Sequence, residues 1–323
     1  MRILTVTNML EGTNPANRTQ GVFVAEQIES IQSIPGNQID VLVVAGFSGA
    51  FAYVASLFNI LVRLRRQHYD VIHYHFGLTA WSAPLVRRIA GIPVVVTLHG
   101  SDVAGARWMR CVSRLAVRFA DVCIAVSDAI ERDIREIARH AVVIPCAVND
   151  RLFRPSQRAE TGDEVVIVFP SAPSRPEKDY ALFSATMACL RGMVAKPVVV
   201  RCIDGLDRQQ VRDLLQQADV MLMTSKREGS PQAVKEALAC ALPVVSVDVG
   251  DVAGLLEGVA RCRVVRERDP QRLARALADV LDGGRCTEGP RRLEERGYLS
   301  AQVARRVTDA YRAAMQANHG ERP

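Results

Sequence analysis

Short β-branched runs alternate with amphipathic stretches along the whole chain, and few folds accept that order. A strand, a crossover helix and the next strand give parallel pairing, with helices on both faces of the sheet. In the first half the apolar runs predict strands at Arg2 to Val6, Gln38 to Val44, Asp70 to His75, Pro93 to Leu98, Val122 to Val126 and Ala141 to Ile144. Helical patterns lie between them at Gly21 to Ser33, Phe51 to Gln67, Thr79 to Ala90, Val103 to Phe119 and Asp128 to Ala138. Ser127 and Ser300 stand where an N-cap hydroxyl belongs. The periodicity stops around Asn149 to Asp163, where Pro155, Ser156, Thr161 and Gly162 mark a linker. A second set of strands follows at Glu164 to Phe169, Pro197 to Cys202, Val220 to Met223, Pro243 to Val247 and Ala260 to Val265. The expectation is an α/β chain of two doubly wound, Rossmann-like domains enclosing a central cleft. They are residues 1–155 and 156–299, with 300–323 as a terminal helix packing back toward the first. Ligands of such sheets bind outside the carboxyl ends of the strands.

With 323 residues there is length for two ordinary domains, and a hydrophobic content of 49% supports a sizeable core. The net charge of +6 is modest and no aromatic-interleaved basic motif appears, so nucleic acid is not expected as a partner. Nearly all the basic residues are arginine, a bias that fits a GC-rich, bacterial genome; Lys178 is the first lysine. None of the eight cysteines forms a C-x-x-C pair, and most sit in apolar runs, as reduced cysteines of a cytosolic protein do. Met1 to Val6 runs straight into a strand, so no secretory leader is expected, and no apolar run reaches the length of a membrane span. Phe47 to Arg66 is rich in aromatic and aliphatic residues and ends in Arg63, Arg65 and Arg66; Arg107, Arg110, Arg114 and Arg118 give a second basic face around Trp108. Such faces suit peripheral contact with an anionic membrane, but more often they are helices packed on a sheet with solvated arginines. A cytoplasmic protein, at most peripheral on the inner face of the membrane, is the expectation.

The most informative chemistry lies in Glu228-Gly-Ser-Pro-Gln-Ala-Val-Lys-Glu236. It follows the short buried run Asp219 to Thr224, and Pro231 suits the first turn of a helix. Glu228 would then sit on a loop, Gly229 and Ser230 in a tight turn, and Glu236 one to two turns into the helix. Free amides at a helix start bind anions, phosphates above all. Two carboxylates beside such a site suit a ligand carrying both hydroxyls and phosphate. The bare spacing alone is also what an amphipathic helix with two solvated glutamates shows.

In the setting Glu228 to Asp251 this pattern resembles the donor-site signature of family 4 glycosyltransferases, retaining enzymes of the GT-B fold. The resemblance covers nearly the whole chain and is strongest from Glu164 to Gly254. It implies that Glu228 contacts a donor-sugar hydroxyl and Glu236 the ribose hydroxyls, with Gly229, Ser230 and Pro231 shaping the donor site. The loop Phe169 to Tyr180 carries Arg175 and Lys178, where the family has an Arg and a Lys that meet the diphosphate leaving group. Their spacing here is three rather than the usual five, with Pro173 in the five-back position, so Lys178 transfers more directly than Arg175. His99, in Thr97 to Asp102, matches a His-Gly whose imidazole faces donor sugar and acceptor; a capping or core histidine is the alternative. Asp102 could simply cap the next helix. Gly21 matches a phosphate-side glycine loop after Arg18-Thr-Gln, with Gln20 in place of the usual second glycine. His73 and His75 alternate on one strand face; His73 reads as structural and His75 as a cleft-edge residue.

The implied function is transfer of a sugar from a nucleotide-diphosphate sugar to a carbohydrate or lipid-linked acceptor, with retention, in surface polysaccharide or glycoconjugate biosynthesis. No cofactor beyond the donor substrate is implied, and no Asp-x-Asp stands in a donor site, so no metal is expected. A sugar phosphorylase or non-hydrolysing epimerase on the same fold, and a non-catalytic sugar-nucleotide-binding protein, are the alternatives. A dinucleotide-binding oxidoreductase would need G-x-G-x-x-G after the first strand, and the segment after Val6 lacks it.

Overall fold

The computed structural model describes residues 1–14, 20–46, 49–156 and 162–320. Phe47, Arg18 and Thr161, each part of an expectation above, lie outside these. Six strands form a first, wholly parallel sheet: β1 Arg2–Thr7, β2 Gln38–Val43, β3 Val71–His75, β4 Val94–Leu98, β5 Val122–Ala125 and β6 Ala141–Val143, in the order β2-β1-β3-β4-β5-β6. Successive residues of each strand face opposite sides. Ile3, Val71, Val95 and Val122 meet helix α1 (Val22–Gln32) and helix α13 (Ser300–Gly320). Leu4, Ile72, Val96 and Cys123 belong to the opposite core, which takes buried residues of α2 (Ala50–Arg66), α3 (Ala83–Ala90), α5 (Arg107–Phe119) and α6 (Asp128–Ile134).

The sequence predicts one helix over Val103 to Phe119, but there are two. Helix α4 (Ser101–Ala104) stops at Gly105, whose extended backbone (φ −78°, ψ −158°) breaks the ladder before α5 begins. The predicted helix at Thr79 opens instead as a 3-10 turn over Thr79–Ser82, with Pro84 in the first turn of α3. Ser127 caps α6 as expected, accepting from Ile130 N–H, whereas Ser300 is itself the first residue of α13.

Five strands make the second sheet: β7 Val165–Phe169, β8 Val198–Cys202, β9 Val220–Met223, β10 Val244–Val247 and β11 Arg263–Val265, ordered β11-β10-β9-β7-β8 and parallel throughout. Helices α7 (Tyr180–Leu190), α8 (Arg208–Gln217), α9 (Gln232–Ala239), α10 (Val252–Leu256), α11 (Pro270–Leu281) and α12 (Glu288–Glu295) accompany it. Aspartates start three of them: Asp179 caps α7, Asp207 closes a capping box with Gln210 on α8, and Asp269 caps α11 just before Pro270. The chain divides into Met1–Ala147 together with Ser300 onward, and Val148–Leu299. That break precedes residue 155 because Val148 N–H donates to Tyr298 O at 2.9 Å and Val148 bridges Leu299, which ties the segment to the second unit. Among the described residues no helix is long and apolar enough to cross a membrane.

Candidate functional site

In the second sheet, β7 lies between β8 and β9, so the chain leaves it first toward one edge and later toward the other. Loops diverge at such a switch point, and the space above the strand ends is where α/β sheets take ligands. Lys178 is carried by the loop after β7 and Glu228 by the loop after β9. Lys178 Nζ lies 2.5 Å from Glu228 Oε1, each side chain 13% exposed. The two loops are bolted together beneath this pair. Lys226 N–H donates to Glu177 O at 2.8 Å, and the Thr224 hydroxyl to the carbonyls of Lys178 and Asp179 at 3.0 and 3.1 Å. The Arg268 guanidinium adds Asp179 Oδ2 at 2.7 Å and Thr224 O at 2.6 Å.

Glu236 is the fifth residue of α9 and is buried. Its Oε1 takes Arg208 Nη2 at 2.8 Å; Arg208 opens α8, in the loop region after β8, and its guanidinium lies 4.6 Å from the Phe153 ring. Between the two pairs runs the turn Gly229-Ser230. Ser230 Oγ is buried without a hydrogen-bond partner. An unmet buried hydroxyl costs about 1–3 kcal/mol, which a polar ligand would relieve. The turn is pinned from behind by Gly250 (φ +59°), where an added Cβ would stand 2.6 Å from Gly229 O, and by Asp251 N–H donating to Gly229 O at 3.1 Å. Pro231 is the N-cap of α9 rather than its first turn, because its ψ of 118° is still extended.

The structure brings together Lys178, Glu228, Ser230 and Glu236, but it leaves Arg175 aside. Arg175 is exposed and its guanidinium pairs with Glu177 at 2.5 Å, whereas Lys178, three residues on, pairs with Glu228. Sequence reasoning missed Arg208, Arg268 and Gly250. The aspartate caps beside α8 and the Val-Gly-Asp after β10 were the available signals, because each places a polar residue at a strand's carboxyl end.

In the first unit His99 follows β4. Asp102, wholly buried, does not cap α4 from the N-cap position; its carboxylate accepts from Gly77, His99 and Gly100 N–H at 3.2, 3.1 and 2.7 Å and so holds the His99-Gly100 turn. His99 Nε2 lies 3.3 Å from His75 Nδ1, and its Nδ1 lies 3.8 Å from Cys146 Sγ. Both ring nitrogens thus have protein partners, and a sugar hydroxyl would replace one of them. Phe23 and Phe76 flank the ring at 4.9 and 5.2 Å between centroids, Phe76 with a φ of 79°. Such a backbone costs on the order of 1–3 kcal/mol and marks a constrained spot. His75 is buried, not at an edge, and so is His73, which spans Tyr311 OH at 2.8 Å and Thr97 Oγ1 at 2.7 Å. Burial drives all three imidazoles toward the neutral form, His75 to a pKa of about 3, with mutual repulsion adding to the effect at His73 and His99. Gly21 precedes α1 with φ +83°, and an added Cβ would stand 2.4 Å from the Met9 carbonyl carbon. Only glycine fits there. Among the described residues no group of three or more His, Cys, Asp or Glu is placed to hold a metal ion.

Residues 22–152 match the family described as Glycosyltransferase Family 4, and residues 183–283 match Glycosyl transferases group 1. TuaC of Bacillus subtilis, assigned to teichuronic acid biosynthesis as a glycosyltransferase, is 28% identical over 260 residues, covering 69% of this chain. The chain spans 64% of that relative's length. The D-inositol 3-phosphate glycosyltransferase of Kineococcus radiotolerans is 25% identical, with 84% of this chain and 78% of that one covered. A sucrose-phosphate synthase from Thermosynechococcus elongatus has the same fold, with a TM-score of 0.78 at 15% identity over 98% of this chain and 100% of that one.

Proposed function

Because the chain belongs to the family 4 glycosyltransferases of GT-B fold, we propose that it moves a sugar from a nucleotide-diphosphate sugar to a carbohydrate or lipid-linked acceptor. The observation that carries this reading is the Lys178–Glu228 pair at the switch point of the second sheet, beside the unpartnered Ser230 hydroxyl. As the glycosidic C–O bond breaks, its electron pair leaves with the diphosphate, and Lys178 stabilises the charge that develops. Glu228 keeps the ammonium in place before the donor arrives and then takes a donor-sugar hydroxyl. Glu236 accepts from the ribose hydroxyls while Arg208 fixes its rotamer. In the first unit, His99 positions the acceptor hydroxyl. Attack from the face the diphosphate leaves gives retention, with the departing phosphate oxygen collecting the acceptor's proton. Lys178 supplies at the leaving group the positive charge that a divalent cation supplies elsewhere, so transfer is metal-independent. The relative assigned to teichuronic acid biosynthesis favours a surface-polysaccharide acceptor.

The test begins with thermal shift against UDP, GDP, ADP and dTDP, because a nucleotide that binds the fold raises its stability by mass action. Mass spectrometry with sugars of the responding nucleotide follows, in EDTA and in Mg²⁺. The expected result is transfer to an added acceptor that survives EDTA. Donor epimerisation, phosphorolysis alone, or binding without any turnover would each replace this reading.

A further inference from the structure

Helices α2, α3 and α5 lie side by side on one face of the first sheet, and their inner stripes, Ile60, Val86 and Ala116 among them, are in its core. Yet they also carry an outer apolar face. Of the eight large apolar side chains exposed among the described residues, seven lie on these three helices. Phe51, Val54 and Phe58 form a stripe at i, i+3 and i+7 on α2, with Phe51 79% and Phe58 70% exposed. Trp108 and Leu115 form another on α5, and Leu85 and Ile89 stand on α3. Ring-sized side chains in this density are not a solvated surface.

The charge on the same helices is one-sided. Their 17, 8 and 13 residues hold nine arginines and no Asp or Glu. These arginines outnumber the whole chain's net charge of +6, so the remainder of the chain is net negative. Arg87 is spoken for by Asp121 at 2.6 Å. Arg107, Arg110, Arg114 and Arg118 follow one another along α5, next to Trp108 and Leu115. The first three line a shallow groove of about 400 Å³ together with Asp133 of α6.

We infer that the α2–α3–α5 face docks on an anionic lipid bilayer, with the aromatic and aliphatic side chains entering the acyl boundary and the arginines meeting lipid phosphates. Hydrocarbon is the partner that desolvates Phe51, Phe58, Trp108 and Ile89 together, while anionic headgroups answer the unrelieved arginines around them. A second copy presenting the same face would set arginine against arginine. The inference stands independently of the transferase reading, because its readouts need no turnover.

The experiment is flotation of the full chain with vesicles of phosphatidylcholine and with vesicles that mix in phosphatidylglycerol. Binding is expected only to the mixed vesicles and should fall as salt rises. Each arginine contributes roughly fivefold, about 1 kcal/mol. The triple exchange Arg107→Gln, Arg110→Gln, Arg114→Gln should therefore lower the partition coefficient on the order of a hundredfold. Phe51→Ser with Phe58→Ser should also weaken binding. In the unaltered protein, brominated lipid should quench a fluorescence component that is missing from Trp108→Phe. No binding to the mixed vesicles at low salt, or no quenching of Trp108, overturns the inference. Self-association, or retention on a polyanion such as RNA or an acidic polypeptide, in place of vesicle binding overturns it too.

Discussion

Lys178 acts where charge changes most, so its removal should lower kcat more than it raises KM. Loss of one preorganised stabilising group costs on the order of a hundred- to a thousandfold in rate. Steady-state kinetics on Lys178→Ala should show that fall while nucleotide affinity by calorimetry stays close to that of the unaltered protein. Lys178→Arg should recover only part, since a planar fork replaces a compact charge. An unchanged kcat in Lys178→Ala would move the leaving-group role elsewhere. The second pair behaves differently. Glu236 is 4% exposed, so Arg208→Ala strands a carboxylate out of water, at a cost of about 3–5 kcal/mol visible in the urea midpoint. Glu236→Gln should spare most of the stability yet weaken nucleotide binding roughly ten- to a hundredfold, as a charged acceptor becomes neutral. The sequence pointed to Glu228 and Glu236 through the turn, proline and helix start beside them, and to Lys178 through the resemblance of its loop to the family's. Arg208 was not legible, because it reaches Glu236 across 28 positions, from the first residue of α8, where the capping box marks a helix start but not a partner.

At the scale of elements, the strands read almost residue for residue, because buried parallel strands are unbroken β-branched runs. Helix edges read less well. Gly105 is an ordinary residue in a helical pattern until its neighbours demand an extended backbone. The two histidines of β3 show what a pattern conceals, since alternation gave their common side but neither their depth nor the contact of His73 with Tyr311 of α13. Their burial has a pH consequence. His73 and His75 stay neutral when folded, with His75 near 3, whereas in the unfolded chain each titrates near 6.5. Below about pH 6.5 the unfolded state therefore takes up protons that the fold refuses, and stability falls as pH drops, by up to ~1.4 kcal/mol per pH unit for each histidine. Urea midpoints from pH 7.5 down to pH 5 should show this decline, and His75→Asn should flatten it. Tyr311→Phe, which strips the hydroxyl from His73 Nδ1, should cost about 1–3 kcal/mol. Equal midpoints across that pH range would mean that the imidazoles titrate freely.

At the scale of the molecule, the first unit is assembled from two distant pieces of chain. Helix α13 covers Val71, Val95 and Val122 alongside α1 and places Tyr311 against His73. A chain ending at Leu299 should therefore lose the first unit's cooperative calorimetric transition, while Val148–Leu299, with its own continuous core, should keep one. The order of synthesis gives this arrangement a cost that equilibrium measurements miss. Once Ala147 has been made, about 10 to 35 seconds of translation pass before α13 exists, at the usual rates of elongation. Throughout that interval a nearly finished parallel sheet on the ribosome presents one hydrophobic side that α1 alone covers. Co-translational chaperone capture, rather than intrinsic folding speed, should then set the yield of native protein in the cell.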